Sequence, residues 1–259
     1  MHNSIGLISS LALALTDLQT KSTTRIPPLS MTSSSSRNNN NRNLRIYLAR
    51  HGQDEDNAAG ILNGHRDQPL TNIGIDQART VAAKIRSAGL GFDAIYASPL
   101  RRARRTAEII ADEGRCVSGG ASAVQICDNL IERDFGIMTG IPTKEIKERC
   151  SPDVLTTDTI TYFLCPDGAE TFPDLIKRAN GVIDEICKRH PDDRDRDKGS
   201  SVLMVTHGDF GKMLYAAYYN LSWEEVLKQF HMGNSEVLLL SKDSTPDEAH
   251  VFEIEQHNH

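Results

Sequence analysis

Ile46-Tyr47-Leu48-Ala49-Arg50-His51-Gly52 and Val202-Leu203-Met204-Val205-Thr206-His207-Gly208 share one grammar: an apolar strand, one connecting residue, then His-Gly. In an open α/β sheet, ligands sit beyond the carboxyl ends of the strands. Both histidines occupy such ends. The glycine after each lets backbone approach a ligand closely. A lone histidine reads more readily as a core or loop residue. Two in the same setting, with arginines nearby, reverse that reading.

Outward from these stretches, the chain alternates strand and helix signals. Arg45–Ala49 is the first strand, and a polar, Gly-containing loop runs from it to Pro69. Thr71 is an N-cap, and Ile75, Ala78, Ala82 and Ile85 recur at helical spacing. Phe92–Ala97 is a second strand. Ser98-Pro99 reads as a cap residue followed by Pro at N1, which opens a helix with Ala103, Ala107 and Ile110 on one side. Val124–Cys127 is a third short strand. Residues 139–170, with Pro142, Pro152 and Pro166, read as irregular. Thr171 opens another helix, with Phe172, Leu175, Ile176, Ala179, Ile183 and Ile186 on one face. Asp192 to Lys198 is an exposed charged loop, and Val202–Val205 is the fourth strand. Ser222 with Glu225 forms a capping box. Glu236–Leu240 and His250–Ile254 are the last strands. This order predicts a three-layer α/β/α sandwich with a mostly parallel central sheet.

Composition narrows the function classes. Hydrophobic residues make up 39% of 259, enough for a sizeable core. Net charge is −6; residues 1–43 carry +3, so the remainder carries −9. A domain this acidic repels polyanions, which argues against nucleic acid as a partner. The five cysteines, Cys116, Cys127, Cys150, Cys165 and Cys187, show no CxxC spacing, against a zinc site or a disulfide framework and in favour of a reducing compartment. The apolar stretch Ile5 to Leu15 is too short to span a bilayer, so no membrane association is expected. Residues 1–43 read as a disordered extension or, being rich in Ser, Thr and Asn and nearly free of acid, as a possible transit peptide. The expected domain is 44–259. Its compartment is the cytoplasm, or a plastid or mitochondrion if the extension is a transit peptide.

Phosphoryl transfer needs a nucleophile, cations on the equatorial oxygens, and an acid for the leaving oxygen. Neutral imidazole held in one tautomer is a good nucleophile, and arginine matches phosphate with two parallel hydrogen bonds. Arg50 precedes His51. The helix after Pro99 offers Arg101, Arg102, Arg104 and Arg105, most of them a solvated face, since one helix cannot aim all four at one point. Arg102, at position N4 of that helix, lies near the strand's carboxyl end, where the helix dipole also favours an anion.

The ordered blocks RHG (50–52), SPLRRARRTA (98–107), LIERDFG (130–136) and VTHGD (205–209) resemble the histidine phosphatase superfamily, which includes the phosphoglycerate mutases. The resemblance covers residues 44 to about 241. It implies that His51 accepts the phosphoryl group and that Arg50, Arg102 and His207 complete the phosphate pocket. By the same resemblance Glu132 is the general acid, Asn57 contacts phosphate, and Asn63 and Gly64 belong to a loop that touches substrate. Gly208 and Asp209 match a backbone contact on the substrate side. Gln53 departs from the usual glutamate, and Asp54 from the usual Ser or Thr. Asp54, Glu55 and Asp56 are rival acids to Glu132.

Other candidates carry less. Gly208–Met213 (GDFGKM) lacks the spacing of a phosphate-binding P-loop. His65 reads as an exposed loop residue, His231 as structural or exposed, and His257 and His259 as tail. No His/Asp/Glu cluster has metal spacing, so no metal or cofactor is expected. The expected function is a metal-independent phosphomonoesterase that hydrolyses a small phosphorylated metabolite through a phosphohistidine. The alternatives are mutase-type transfer by a cofactor-dependent phosphoglycerate mutase and a non-catalytic phospho-ligand binder. Hydrolysis is preferred because the long insertion that mutases carry after the acid is not visible between Glu132 and His207.

Overall fold

Alternation along the strands decides which layer each side chain joins. The protein is described by a computed structural model for residues 44–117, 124–191, 199–229 and 231–252. The expectations for residues 1–43, for the loop 192–198 and for His257 and His259 lie outside the described residues. In β1 (Arg45–Arg50), Ile46 and Leu48 point to one side and Tyr47 and Ala49 to the other. The same parity holds in β2 (Ala94–Ala97) and β6 (Ser201–Thr206). Strands buried on both faces read as continuous apolar runs, as VLMV does.

One face is covered by α2 (Asn72–Ser87) and α3 (Arg101–Gly114), which bring Val81, Ile85, Ala103, Ala107 and Ile110 against Tyr47, Ala49, Ile95 and Leu203. The other is covered by α5 (Phe172–Arg189) and α6 (Gly208–Tyr219), with Leu175, Ile183, Phe210 and Leu214 against Ile46, Leu48, Val202 and Met204. Each fully buried residue of this size contributes roughly 1.5–3 kcal/mol of transfer free energy. Sheet order is β3-β2-β6-β1-β7-β8, where β3 is Gln125–Ile126, β7 Val237–Leu240 and β8 His250–Phe252. β1, β2, β3 and β6 pair in parallel, and β7 runs antiparallel to both neighbours. The expected sandwich is the observed one.

Several local readings need correction. α3 starts at Arg101 with Leu100 as N-cap, not at Pro99, so Arg102 is at N2 rather than N4. Ser98 N–H still bonds Val205 O at 3.0 Å, extending the sheet, and the Ser98 hydroxyl goes elsewhere. The span 139–170 contains short helix α4 (Ile146–Cys150) and hairpin β4–β5 (Val154–Thr156, Thr161–Phe163), held over Phe135, Met138 and Ile146. α6 has buried residues at seven consecutive positions, 210–216, so it lacks the amphipathic period that would have announced it. Thr71 and Thr171 cap α2 and α5 as expected, accepting from Gly74 N and Asp174 N. Ser222 accepts from Glu225 N–H at the start of α7 (Trp223–Gln229).

Candidate functional site

β1 and β6 are adjacent, with Arg50 beside Thr206 in register, so the next residues, His51 and His207, emerge side by side. His51 N–H still bonds Thr206 O at 3.0 Å, carrying the ladder one step further. The chain leaves β1 toward α2 on one face and leaves β6 into α6 on the other. Neighbouring strands whose connections diverge leave a crevice at their carboxyl ends. Both histidines stand in it, ring centroids 5.0 Å apart, and both are buried.

The hydrogen bonds of His51 fix its tautomer. Nδ1 is 2.7 Å from Gly52 O, which can only accept. Nε2 is 3.3 Å from Arg102 Nε, which can only donate. Hence Nδ1 carries the proton and Nε2 the lone pair. Burial, then the charges of Arg102 and Arg50, hold this imidazole well below its ordinary pKa, so it is neutral near pH 7. His207 is lowered in the same way, by burial and then by Arg102. Its Nε2 is 2.7 Å from Ser98 Oγ, and Ser98 Oγ accepts from Leu100 N–H at 3.3 Å. With Ser98 donating to Nε2, the proton of His207 sits on Nδ1, a buried atom with no partner.

Arg102 is fully buried, and its position follows from the helix start. Nη1 and Nη2 donate to the carbonyls of Arg66 and Gly64 at 2.6 and 2.9 Å. Gly64 makes this turn at φ +46. Nε lies 3.1 Å from Asp54 Oδ2. Arg101, Arg104 and Arg105 are exposed, as expected of a solvated face. Arg50 donates from Nη1 to Met232 O at 2.7 Å, while its buried Nε has no partner.

The acids separate by surroundings. Asp54 caps α1 (Glu55–Ala59), accepts from Asn57 N–H and Asn63 Nδ2, and faces Arg102. Asp56 pairs with Arg66 at 2.8 Å, and Glu55 is exposed. Glu132 is buried at the start of α6, where it accepts from Phe210 N–H at 3.0 Å and Asp209 N–H at 3.3 Å. Burial, and then the charge of Asp209, raise its pKa above the ordinary value; the amide donors of Arg133 and Phe210, and then the charge of Arg102, oppose the rise. The backbone N–H of Asp209 is thus engaged by Glu132. Asn63 is tied to Asp54 and Gly64 to Arg102, so this loop braces the arginine.

Three features escaped the sequence reading. Asn234, fully buried, donates to His51 O and to Asn57 Oδ1, both at 3.2 Å. It thereby turns the amide NH₂ of Asn57 away from itself. His65 donates to Glu132 O at 2.8 Å, a role its loop position did not announce. Gly52 is required by α2: a Cβ there would sit 2.3 Å from Gly74 O, and one on Gly74 2.0 Å from Gln53 O. His231 is exposed. Among the described residues no cluster of three His, Cys, Asp or Glu could hold a metal ion, and none of the five cysteines is in a disulfide.

Residues 46–252 match the histidine phosphatase superfamily (branch 1). The chain belongs to that superfamily. It is 29% identical over 211 residues to a 2,3-bisphosphoglycerate-dependent phosphoglycerate mutase of Methylobacterium sp. (strain 4-46), covering 80% of this chain and 97% of that one. The corresponding mutase of Parvibaculum lavamentivorans is 31% identical over 185 residues, covering 70% and 83%. A mycobacterial glucosyl-3-phosphoglycerate phosphatase shares the fold, with a TM-score of 0.62, 23% identity and coverage of 75% and 88%. Phosphoserine phosphatase of Entamoeba histolytica, solved with 3-phosphoglyceric acid, gives 0.57, 26%, and 76% and 89%. This histidine phosphatase superfamily member is therefore an enzyme of the phosphatase or mutase type. No helix among its described residues is long and apolar enough to cross a membrane.

Proposed function

We propose that this enzyme is a phosphomonoesterase that hydrolyses a small phosphorylated metabolite through phospho-His51. The observation that carries the reading is a lone pair on His51 Nε2 in a crevice shared with His207, together with two buried nitrogens without partners, Arg50 Nε and His207 Nδ1, the second a donor when Ser98 donates to Nε2. Buried donors left unsatisfied are costly, and a tetrahedral oxyanion supplies the missing acceptors. Arg102 Nε–H passes from the imidazole to a phosphate oxygen as substrate arrives, which frees Nε2. The Asn57 amide NH₂ adds a further donor.

Nε2 attacks phosphorus, the ester P–O bond breaks, and the Glu132 proton goes to the leaving oxygen, releasing the alcohol. Water then attacks phospho-His51 and Glu132 takes back a proton. The P–N bond breaks, and inorganic phosphate leaves with the Nε2 lone pair restored. Gly208 lies against the Arg50 guanidinium, where a Cβ would be 3.5 Å away, so it leaves room beside the clamp. Guanidinium and imidazole donors carry the transition-state charge here, so the reading includes independence from metal ions.

Hydrolysis is favoured over mutase-type transfer by the likeness to solved phosphatases, among them the phosphoserine phosphatase of Entamoeba histolytica at 26% identity over 76% of this chain. The test is product analysis with 3-phosphoglycerate and simple phosphomonoesters, with and without EDTA. Inorganic phosphate should accumulate at an EDTA-insensitive rate, through an acid-labile phosphoprotein that His51→Ala cannot form. Conversion to 2-phosphoglycerate without phosphate release would overturn the choice of hydrolysis. Full activity in His51→Ala would overturn the chemistry.

A further inference from the structure

Around the phosphate clamp the charges are arranged unequally. Arg133, fully buried, lies between the rings of Phe163 and Phe172 at 4.5 and 4.2 Å. Its N–H groups donate to Glu170 O, Phe163 O and Leu164 O at 2.6, 2.9 and 2.8 Å. Lys212 is also buried, its Nζ 3.0 Å from both Tyr162 Oη and Asp209 Oδ1. Arg178 is held by Glu170 at 2.7 Å and covers the ring of Phe210. Arg66 is held by Asp56. Each of these cations is thus fixed by an internal acid, by carbonyls or by both.

Asp209 differs. It follows Gly208 in the first turn of α6, directly after His207, and its N–H donates to Glu132. Its side chain is 14% exposed, against 4% for Lys212 and 0% for Arg133, which lie behind it at 3.0 and 3.7 Å. Burial works to raise its pKa, but Lys212 and Arg133 outweigh that and hold it below the ordinary carboxylate value, so it is ionised at neutral pH. The partly open edge of this cluster is therefore the Asp209 carboxylate, with Lys212 and Arg133 buried more deeply against its two oxygens.

We infer that Asp209 is a specificity-determining residue, and that the substrate bears a hydroxyl or ammonium group, rather than a carboxylate, on the carbon skeleton next to its phosphate. The inference rests on the phosphomonoesterase reading and adds a substrate class to it. A hydroxyl or ammonium can donate to Asp209. A carboxylate in the same place would be repelled by that oxygen, while Lys212, Arg133, Arg178 and Arg66 are already held by acids or carbonyls.

The experiment uses the full chain and a matched pair, glycerol 3-phosphate and 3-phosphoglycerate, which differ only in a CH₂OH against a COO⁻, with phosphoethanolamine as the cationic member. The expected kcat/KM for glycerol 3-phosphate and for phosphoethanolamine exceeds that for 3-phosphoglycerate by about 10- to 100-fold. Asp209→Asn should reduce that ratio about tenfold or more. Any effect of this substitution on the acid Glu132 touches all three esters alike and cancels in the ratio. Equal or better use of 3-phosphoglycerate by the wild type, or a ratio unmoved in Asp209→Asn, would overturn the inference while leaving the phosphatase reading intact. Release of phosphate from none of the three, and from no generic ester, would instead remove the phosphatase reading and the inference with it. Should Asp209→Asn not fold, the wild-type ratio still decides.

Discussion

Arg102→Ala tests how the site is held together, independently of any substrate. The side chain is fully buried and donates to two carbonyls, Gly64 O and Arg66 O, while its Nε faces the equally buried Asp54 at 3.1 Å. Removing it strands the Asp54 carboxylate in the interior with only Asn63 and the Asn57 N–H for company. Breaking one member of a buried pair costs about 3–5 kcal/mol. With a urea m-value of about 2–3 kcal/mol/M for a chain of this size, the midpoint should fall by about 1–2 M. Trp223, the chain's single tryptophan, stacks on Phe172 at 5.1 Å and reports unfolding by fluorescence. Adding Asp54→Asn removes the stranded charge and should recover about 1–3 kcal/mol.

The pH dependence gives the sign of the same effect. Burial raises the Asp54 carboxyl, and in the wild type Arg102 opposes that rise. In Arg102→Ala nothing as close opposes it. The folded variant then takes the proton more readily than the unfolded chain, so its stability rises as pH falls through the folded pKa and is lost above it. The double variant should lack this dependence. A loss under about 1 kcal/mol in Arg102→Ala, or an Asp54→Asn change that deepens the loss, would refute the reasoning.

Three further outcomes follow from the geometry. Burial and the neighbouring arginines hold His51 and His207 neutral, well below the ordinary imidazole pKa of about 6.5, so the unfolded chain binds protons that the folded one refuses. Stability present above about pH 6.5 should fall as pH is lowered, and thermal melts of His51→Ala should show a shallower slope; an unchanged slope counts against the buried neutral imidazole. Glu132 must hold a proton to act as acid, and its raised pKa places the alkaline limb of activity above the ordinary carboxylate range. Glu132→Gln should lose that limb and slow alkyl esters far more than p-nitrophenyl phosphate, whose leaving group needs no proton; equal losses would argue for another acid. Asn234→Asp keeps shape but removes the donors to His51 O and Asn57 Oδ1, so inhibition by inorganic phosphate should weaken about tenfold, and an unchanged inhibition constant would show that this clip does not orient Asn57.

Much of the sheet was legible because its signals are local. IYLA and VLMV are apolar runs of strand formers whose burial on both faces leaves no ambiguity of period. Thr71 and Thr171 announced helices by a side chain capping a backbone N–H three residues on, a contact the chain makes with itself. Ser98 misled for the complementary reason. It has the chemistry of a cap, but its hydroxyl is claimed by His207, 109 positions away in sequence. α6 and the β4–β5 hairpin were missed because one is buried almost all round and the other depends on packing against Phe135 and Ile146.

The sequence by itself determined the alternating architecture and the presence of two His-Gly strand ends, an arginine before the first histidine, and an arginine in the first turn of the helix after Pro99. These rest on hydrophobic period and on short-range chemistry, both carried within a few residues. Only the tertiary structure decided which imidazole nitrogen holds the lone pair, that Arg102 shares its Nε–H between His51 and Asp54, that Asn234 reaches back to Asn57, and that Asp209 is the carboxylate left partly open. Tautomer, amide orientation and residual exposure are set by which distant groups arrive within about 3 Å of an atom, and that follows from how layers pack rather than from local sequence.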